Sequence, residues 1–115
     1  MARMAVIYDV HGNLPALEAC LADARAAGAQ RFLLGGDYAL FGPFQPESIA
    51  VLRALEEATW IRGNVDRWAA NQDVPEDDVL RRAIADCRQA LGASLADELG
   101  ELPEDVLTKL SDLRV

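Results

Sequence analysis

The feature that most constrains the fold is a short apolar run that ends in a cluster of polar side chains. Residues 5–8 form a run typical of a buried strand, and Asp9 and His11 follow it at once. A helix is predicted directly afterwards, because Asn13 can serve as its N-cap and a proline two residues later is tolerated in a first helical turn. A carboxylate and an imidazole therefore stand where a strand meets a helix. In open α/β sheets, ligands bind at that end of the strands.

Two later segments repeat this arrangement of an apolar run followed by a polar loop. Residues 31–34 lead into Asp37, and residues 59–61 lead into Asn64. Two segments in which apolar residues recur at helical spacing separate the three runs. An order of strand, helix, strand, helix and strand is typical of a parallel sheet with right-handed crossovers. We therefore expect all three polar loops at one edge of one sheet.

Beyond the third loop the pattern becomes helical. A loop is predicted over 69–75, and one long acidic helix over 76–99. A last helix is predicted over 103–113. These segments together form a helical insertion over about 76–113.

The composition describes a soluble globular chain. Its 115 residues are 51% hydrophobic and 26% charged, and no linker is visible, so we predict one domain over 1–115. The net charge of −8 argues against a nucleic-acid-binding surface, which needs clustered Lys and Arg. The apolar run after Arg3 is too short for a signal peptide or a membrane span. Cys20 and Cys87 lie at apolar helical positions and are interpreted as buried thiols without a disulfide, so we expect a cytoplasmic protein.

Four side chains in the three loops are candidate metal ligands: Asp9, His11, Asp37 and Asn64. Carboxylates and imidazole suit Mn²⁺, Fe²⁺ and Zn²⁺. Two-metal sites hold their ions roughly 3.5–4 Å apart and generate a hydroxide nucleophile at neutral pH. Each residue alone has an ordinary explanation: Asp9 could cap a helix, His11 could be a loop residue, and Asn64 could be a turn residue that tolerates positive φ. Their shared position after predicted parallel strands favours a metal site.

These loops resemble the ordered motifs of the calcineurin-like metallophosphoesterase family, in its bacterial phosphodiesterase-like branch. The matching blocks are Asp-x-His-Gly-Asn at 9–13, Gly-Asp at 36–37 with Gly-Pro at 42–43, and Gly-Asn-x-Asp at 63–66. The resemblance implies a four-layer α/β/β/α sandwich, of which this chain supplies the first parallel βαβαβ sheet and a helical insertion. It also implies hydrolysis of phosphate esters by a hydroxide that bridges two divalent ions (Mn, Fe, Zn or Ni).

The same resemblance assigns roles to individual residues. Asp9 and His11 would hold the first metal, Asp37 would bridge both, and Asn64 would bind the second. These four form the catalytic set. Three further residues are candidates for substrate binding: Asn13, Gly63 and Arg67.

One departure from the family concerns the general acid. The family usually has His beside the Asn of its third block, where Val65 stands here. A general acid contributes typically about 10²–10⁴-fold, and a diester with a good leaving group needs it least. Val65 therefore favours phosphodiesters. Asp66 loses the partner that it would orient, and could instead pair with Arg62 or Arg67.

A second departure concerns the family's downstream histidines, which would supply three further ligands. This sequence has no histidine after His11. We therefore expect an N-terminal half of a longer protein, in which residues 114–115 begin the next strand. Because a three-stranded parallel sheet needs cover on both faces, we also expect a homo-oligomer, with a domain swap as one route.

Alternatives from other classes stay open to different degrees. The chain could be a catalytically incomplete module that binds a metal or ligand, or that associates with itself. A haloacid-dehalogenase-like phosphatase is set aside, because its second Asp would stand where His11 does. A dinucleotide site is weaker still, because Gly12 stands alone where a glycine-rich turn is required. Nucleotide diesters, phosphoproteins and small monoesters all remain compatible substrates.

Overall fold

The computed structural model describes residues 2–106 and 113–114, which form a parallel sheet with helices. The elements, in chain order, are β1 (Ala2–Ile7), α1 (Leu14–Ala26), β2 (Ala29–Leu34), α2 (Gln45–Arg53), β3 (Ala58–Trp60), α3 (Asn64–Ala69), α4 (Asp78–Leu91), α5 (Ala93–Gly100) and β4 (Leu113–Arg114). The sheet order is β3-β2-β1-β4, and every paired strand is parallel. The predicted βαβαβ unit is confirmed, and the strand expected near residue 114 adds a fourth member.

One face of the sheet forms the main core. Ala5 pairs with Phe32 and Ile7 with Leu34, so these four side chains lie on the same face. Phe32 and Leu34 are buried, and α1 and α2 contribute four buried side chains to the same core: Leu17, Leu21, Ile49 and Leu52. Burial of each such side chain stabilises the fold by about 1.5–3 kcal/mol.

The other face of β1 is only partly covered, since Met4 is buried there whereas Val6 is exposed. Val6 is 38% exposed and Tyr8 is 56% exposed, and neither belongs to the core cluster of the described residues. Tyr8 lies across Gly35, where a β-carbon would come within 2.0 Å of its ring. The predicted homo-oligomer, with or without a domain swap, stays a prediction.

Three local expectations were wrong. The predicted long helix over 76–99 is two helices, because Gly92 between α4 and α5 has φ +88 and cannot continue α4. Asn64, expected in the third polar loop, is instead the first residue of α3, which occupies 64–69. Cys20 is exposed, because the buried stripe of α1 is confined to Leu17 and Leu21, whereas Cys87 is buried as expected.

The last predicted helix is also corrected where the structure describes it. Residues 103–106 are not helical, and Leu113 lies in β4. Arg62 donates its backbone N–H to the carbonyl of Pro103 (2.8 Å), which ties this segment to the third polar loop. Residues 107–112 of that prediction lie outside the described residues. No helix in the described ranges combines the length and apolarity that a membrane span needs.

Candidate metal centre

The first two polar loops are joined by a continuation of the β1–β2 ladder. The Asp9 N–H donates to the carbonyl of Gly36 (3.2 Å), and the His11 N–H donates to the carbonyl of Asp37 (2.9 Å). These bonds extend the strand pairing beyond both strand ends, so the two loops run side by side. Two sequence motifs more than 20 residues apart are thereby held at a fixed distance.

Three predicted ligands converge at this edge. Asp9, His11 and Asp37 each offer one ligand atom, and these atoms all lie within 4.8 Å of one another. Asp9 is exposed, and the other two are half-buried. The expectation that parallel strands would bring these loops to one edge is therefore met for these three residues.

All three of these residues adopt a left-handed backbone conformation. Their φ angles are +56 for Asp9, +48 for His11 and +60 for Asp37. Only a few per cent of non-glycine residues have positive φ, and Asp and His are among the types that adopt it most readily. Such conformations cost of order 1–3 kcal/mol each and cluster at functional sites. This edge of the sheet therefore has the backbone character of a binding site.

The hydrogen bond of His11 fixes its tautomer. Nδ1 lies 3.0 Å from the carbonyl oxygen of Leu40, which can only accept, so Nδ1 carries the proton. In the neutral imidazole the lone pair is therefore on Nε2, which lies 3.9 Å from Oδ1 of Asp9. Metal-binding histidines use this arrangement, with one ring nitrogen donating to a backbone carbonyl and the other facing the metal.

The environment of Asp37 suits a cation. Burial raises the pKa of its carboxyl, and the neighbouring Asp9 acts in the same direction, whereas the Val65 N–H and His11 oppose the rise. The Val65 N–H donates to Oδ1 over 3.1 Å. A divalent ion among two carboxylates and an imidazole lone pair would offset both the desolvation and the repulsion. The donor set therefore fits a hard or borderline divalent metal.

Asp66 joins the second and third loops from inside the protein. Its carboxylate accepts the backbone N–H groups of Asp37 (2.8 Å), Tyr38 (3.1 Å) and Gly63 (2.7 Å), and the residue is 1% exposed. Burial raises its pKa, and the three hydrogen bonds act against that rise. The alternative pairing of Asp66 with Arg62 or Arg67 is not formed, since among the described residues these arginines pair with Glu104 and Asp73. The sequence does hold a signal for this role: Asp66 stands three residues after the N-cap Gly63, where a carboxylate can accept the backbone N–H of the cap residue.

Glycines allow the loops to touch backbone to backbone. A β-carbon on Gly36 would lie 2.4 Å from the Gly63 nitrogen, and one on Gly63 would lie 2.1 Å from Oδ1 of Asp37. A β-carbon on Gly42 would lie 1.8 Å from the His11 carbonyl oxygen. Any side chain at these positions would push the loops apart and displace the ligands.

Asn64 and Val65 open α3 beside the cluster. Asn64 is exposed, and both of its neighbours, Gly63 and Val65, contact Asp37. Its role as a metal ligand stays a prediction. The side chain of Val65 is 5% exposed and belongs to the core, so this residue contributes its N–H to the site and not its side chain.

The predicted substrate-binding residues lie around this edge in different settings. Asn13 caps α1, since its Oδ1 accepts the Ala16 N–H (3.2 Å). Arg67 Nη1 lies 3.5 Å from Oδ2 of Asp73. Gly63 and Arg67 line a common cavity with Asn64. Substrate contacts by Asn13, Gly63 and Arg67 stay predictions.

Comparisons with known proteins agree with the motifs. A model of the calcineurin-like phosphoesterase superfamily domain matches residues 2–112. The crystal structure of a metallophosphoesterase from Sphaerobacter thermophilus matches with a TM-score of 0.71 and 30% sequence identity over 93% of this chain. This chain spans 43% of that protein. A search of curated proteins gave no match.

Proposed function

Because the chain belongs to the calcineurin-like phosphoesterase superfamily, we propose that it serves the metal-dependent hydrolysis of phosphate esters, with a preference for diesters. The observation that carries this proposal is the convergence of Asp9, His11 and Asp37 within 4.8 Å. The similarity to a metallophosphoesterase supports it. Since the chain spans 43% of that relative, the activity of the 115 residues themselves is part of the proposal.

The proposed roles are those that the resemblance to the family implies. Asp9 and His11 Nε2 would hold a first ion, Asp37 would bridge to a second, and Asn64 would bind that second ion. When bound, such ions supply a nucleophile from water at neutral pH and neutralise charge on the phosphoryl oxygens. The chain's own part is to orient the His11 ring through the Leu40 carbonyl and to fix Asp37 through the Val65 N–H.

The preference for diesters is argued from what the third loop lacks. The Val65 side chain lies in the core, and the Asp66 carboxylate accepts three backbone N–H groups. Neither side chain is therefore placed to give a proton to a leaving group. Loss of a general acid costs typically about 10²–10⁴-fold, and the loss is smallest when the leaving group is already a good one.

Metal binding is the first test. Titration of the metal-stripped chain with Mn²⁺ should give saturable binding, which Asp37→Asn weakens at least tenfold. Asp86→Asn is the matched control, because Asp86 is exposed on α4, far along the chain from the loops. Equal affinity in the wild type and both variants would remove the basis of the proposal.

Substrate preference is the second test. With Mn²⁺ bound, the chain should hydrolyse bis(p-nitrophenyl) phosphate faster than the monoester phenyl phosphate, because p-nitrophenolate leaves without a proton donor whereas phenolate leaves poorly without one. A faster reaction with the monoester would contradict the proposed preference.

A second candidate function is a metal-binding or self-associating module without turnover. It is favoured by two exposed side chains, Val6 on β1 and Tyr8 just after that strand. Saturable Mn²⁺ binding without hydrolysis of either ester would support the module. Light scattering at micromolar concentration tests the proposed homo-oligomer, and a monomer would refute it.

A further inference from the structure

The cavity that Gly63, Asn64 and Arg67 line lies at the third polar loop. It has a volume of about 240 Å³ and is lined by Arg62, Gly63, Asn64, Arg67 and Glu104. Gly63 also lies against the Asp37 carboxylate, since a β-carbon on Gly63 would come 2.1 Å from Asp37 Oδ1. Gly63 therefore belongs both to the lining of the cavity and to the surroundings of the Asp37 carboxylate.

Arg62 is held in a fixed orientation at this cavity. Its Nη1 donates to the carbonyl of Gly100 (2.7 Å) and lies 3.3 Å from Oε1 of Gln72. Its Nη2 donates to Oε1 of Glu104 (2.6 Å). The buried Nε has no hydrogen-bond partner in the described part of the chain. A guanidinium fixed in this way is preorganised to bind an anion, because little side-chain freedom remains to be lost.

Glu104 places an anionic oxygen between two arginines. Its Oε1 lies 2.6 Å from Arg62 Nη2 and 4.0 Å from Arg67 Nη1. The Glu104 side chain is 67% exposed, and exposed ion pairs contribute only about 0–1 kcal/mol. Glu104 therefore marks a position that favours a negative oxygen, while it is itself weakly held there.

We propose that the cavity is a second anion subsite, in which Arg62 and Arg67 bind an anionic group of the substrate and Glu104 occupies the place until that group displaces it. The implied substrate is a phosphate ester that carries a second anionic group, with one phosphoryl group at the metal centre and the other group here. The substrate class rests on the proposed function, whereas the anion subsite stands on the arginine geometry alone.

The experiment measures binding of inorganic pyrophosphate to the metal-stripped chain by calorimetry at low ionic strength. Glu104→Gln should bind pyrophosphate about three- to tenfold more tightly than the wild type, because a competing negative charge is removed. Glu101→Gln makes the same charge change at an exposed residue after α5 and should stay within twofold of the wild type.

Arginine variants complete the test. Arg67→Gln should weaken pyrophosphate binding at least fivefold. Arg62→Gln is less informative, because Arg62 also bonds the Gly100 carbonyl and the variant can fail to fold. The proposal is overturned if Glu104→Gln matches Glu101→Gln, or if Arg67→Gln binds as the wild type does. Loss of Mn²⁺ binding without any change in these ratios would overturn the proposed function and leave the subsite standing.

Discussion

Replacement of Asp66 by Ala tests whether this buried carboxylate holds the site together. The carboxylate accepts three backbone N–H groups, from Asp37, Tyr38 and Gly63. Removing it leaves all three donors without their acceptor at a position that is 1% exposed. Each orphaned buried donor costs about 1–3 kcal/mol. Some of this loss is offset, because burial of the charged group is itself unfavourable and raises its pKa.

The net loss of unfolding free energy is therefore expected to be about 2–4 kcal/mol for Asp66→Ala. Asp66→Asn should cost less, about 1–2 kcal/mol. Its amide oxygen can still accept from Asp37 and Gly63, which share one carboxylate oxygen, while its NH₂ group opposes the Tyr38 N–H. The expected order of stability is wild type, then Asn, then Ala.

Urea unfolding followed by circular dichroism measures these differences. Asp86→Ala serves as the control, since Asp86 is exposed on α4 and surface substitutions usually stay within about 0.5 kcal/mol. Mn²⁺ affinity should fall in parallel with the stability of the Asp66 variants, because Asp37 and Gly63 lose their common anchor. An Asp66→Ala unfolding midpoint equal to that of Asp86→Ala would refute the reasoning.

Two further predictions concern the glycines of the loops and the two cysteines. Gly63→Ala should weaken Mn²⁺ binding at least tenfold, because the added β-carbon would lie 2.1 Å from Asp37 Oδ1. Gly92→Ala is the control: its β-carbon would meet no atom within 4 Å, but the residue has φ +88. This variant should lower only the free energy of unfolding, by about 1 kcal/mol. Equal metal affinities in the two variants would contradict this account. In the native chain at pH 8, iodoacetamide should label the exposed Cys20 and not Cys87, whose buried thiol has its pKa raised to about 11. Because the unfolded thiol ionises near 9.0, the unfolding free energy should fall by about 2–3 kcal/mol between pH 9 and 11, and Cys87→Ala should remove this part of the decline.

The sequence predicted the elements whose signals are local. Runs of apolar residues located β1 to β3 to within three residues at each end, and the parallel order followed from the alternating helices. That order was enough to place Asp9, His11 and Asp37 at one edge. Helix α3 was missed because its six residues are too few to show a period.

What the sequence could not predict depends on contacts between distant segments. Asp66 bonds to backbone groups 28 and 29 residues away. Every residue except proline has a backbone N–H, so the sequence does not indicate which of them will bind Asp66. The break at Gly92 was hidden because the apolar residues on either side of it remain at helical spacing. Residues 103–106, which are not helical, contact the distant Arg62, which binds the Pro103 carbonyl and the Glu104 carboxylate.

At Val65 the backbone and the side chain have different roles. Its N–H holds Asp37 (3.1 Å), which any residue except proline could do, while its side chain packs in the core at 5% exposure. Val65→His should therefore not create a general acid, because the imidazole would replace a core side chain instead of facing the metal centre.

We expect this variant to lose about 2 kcal/mol of unfolding free energy through overpacking and burial of a polar ring. Val79→His, at a position that is 81% exposed on α4, should lose little. The ratio of monoester to diester hydrolysis should stay at the wild-type value in both. A rise of that ratio in Val65→His alone would mean that residue 65 can turn towards the metals, and that the core position of Val65 is a consequence of its side chain and not of the backbone.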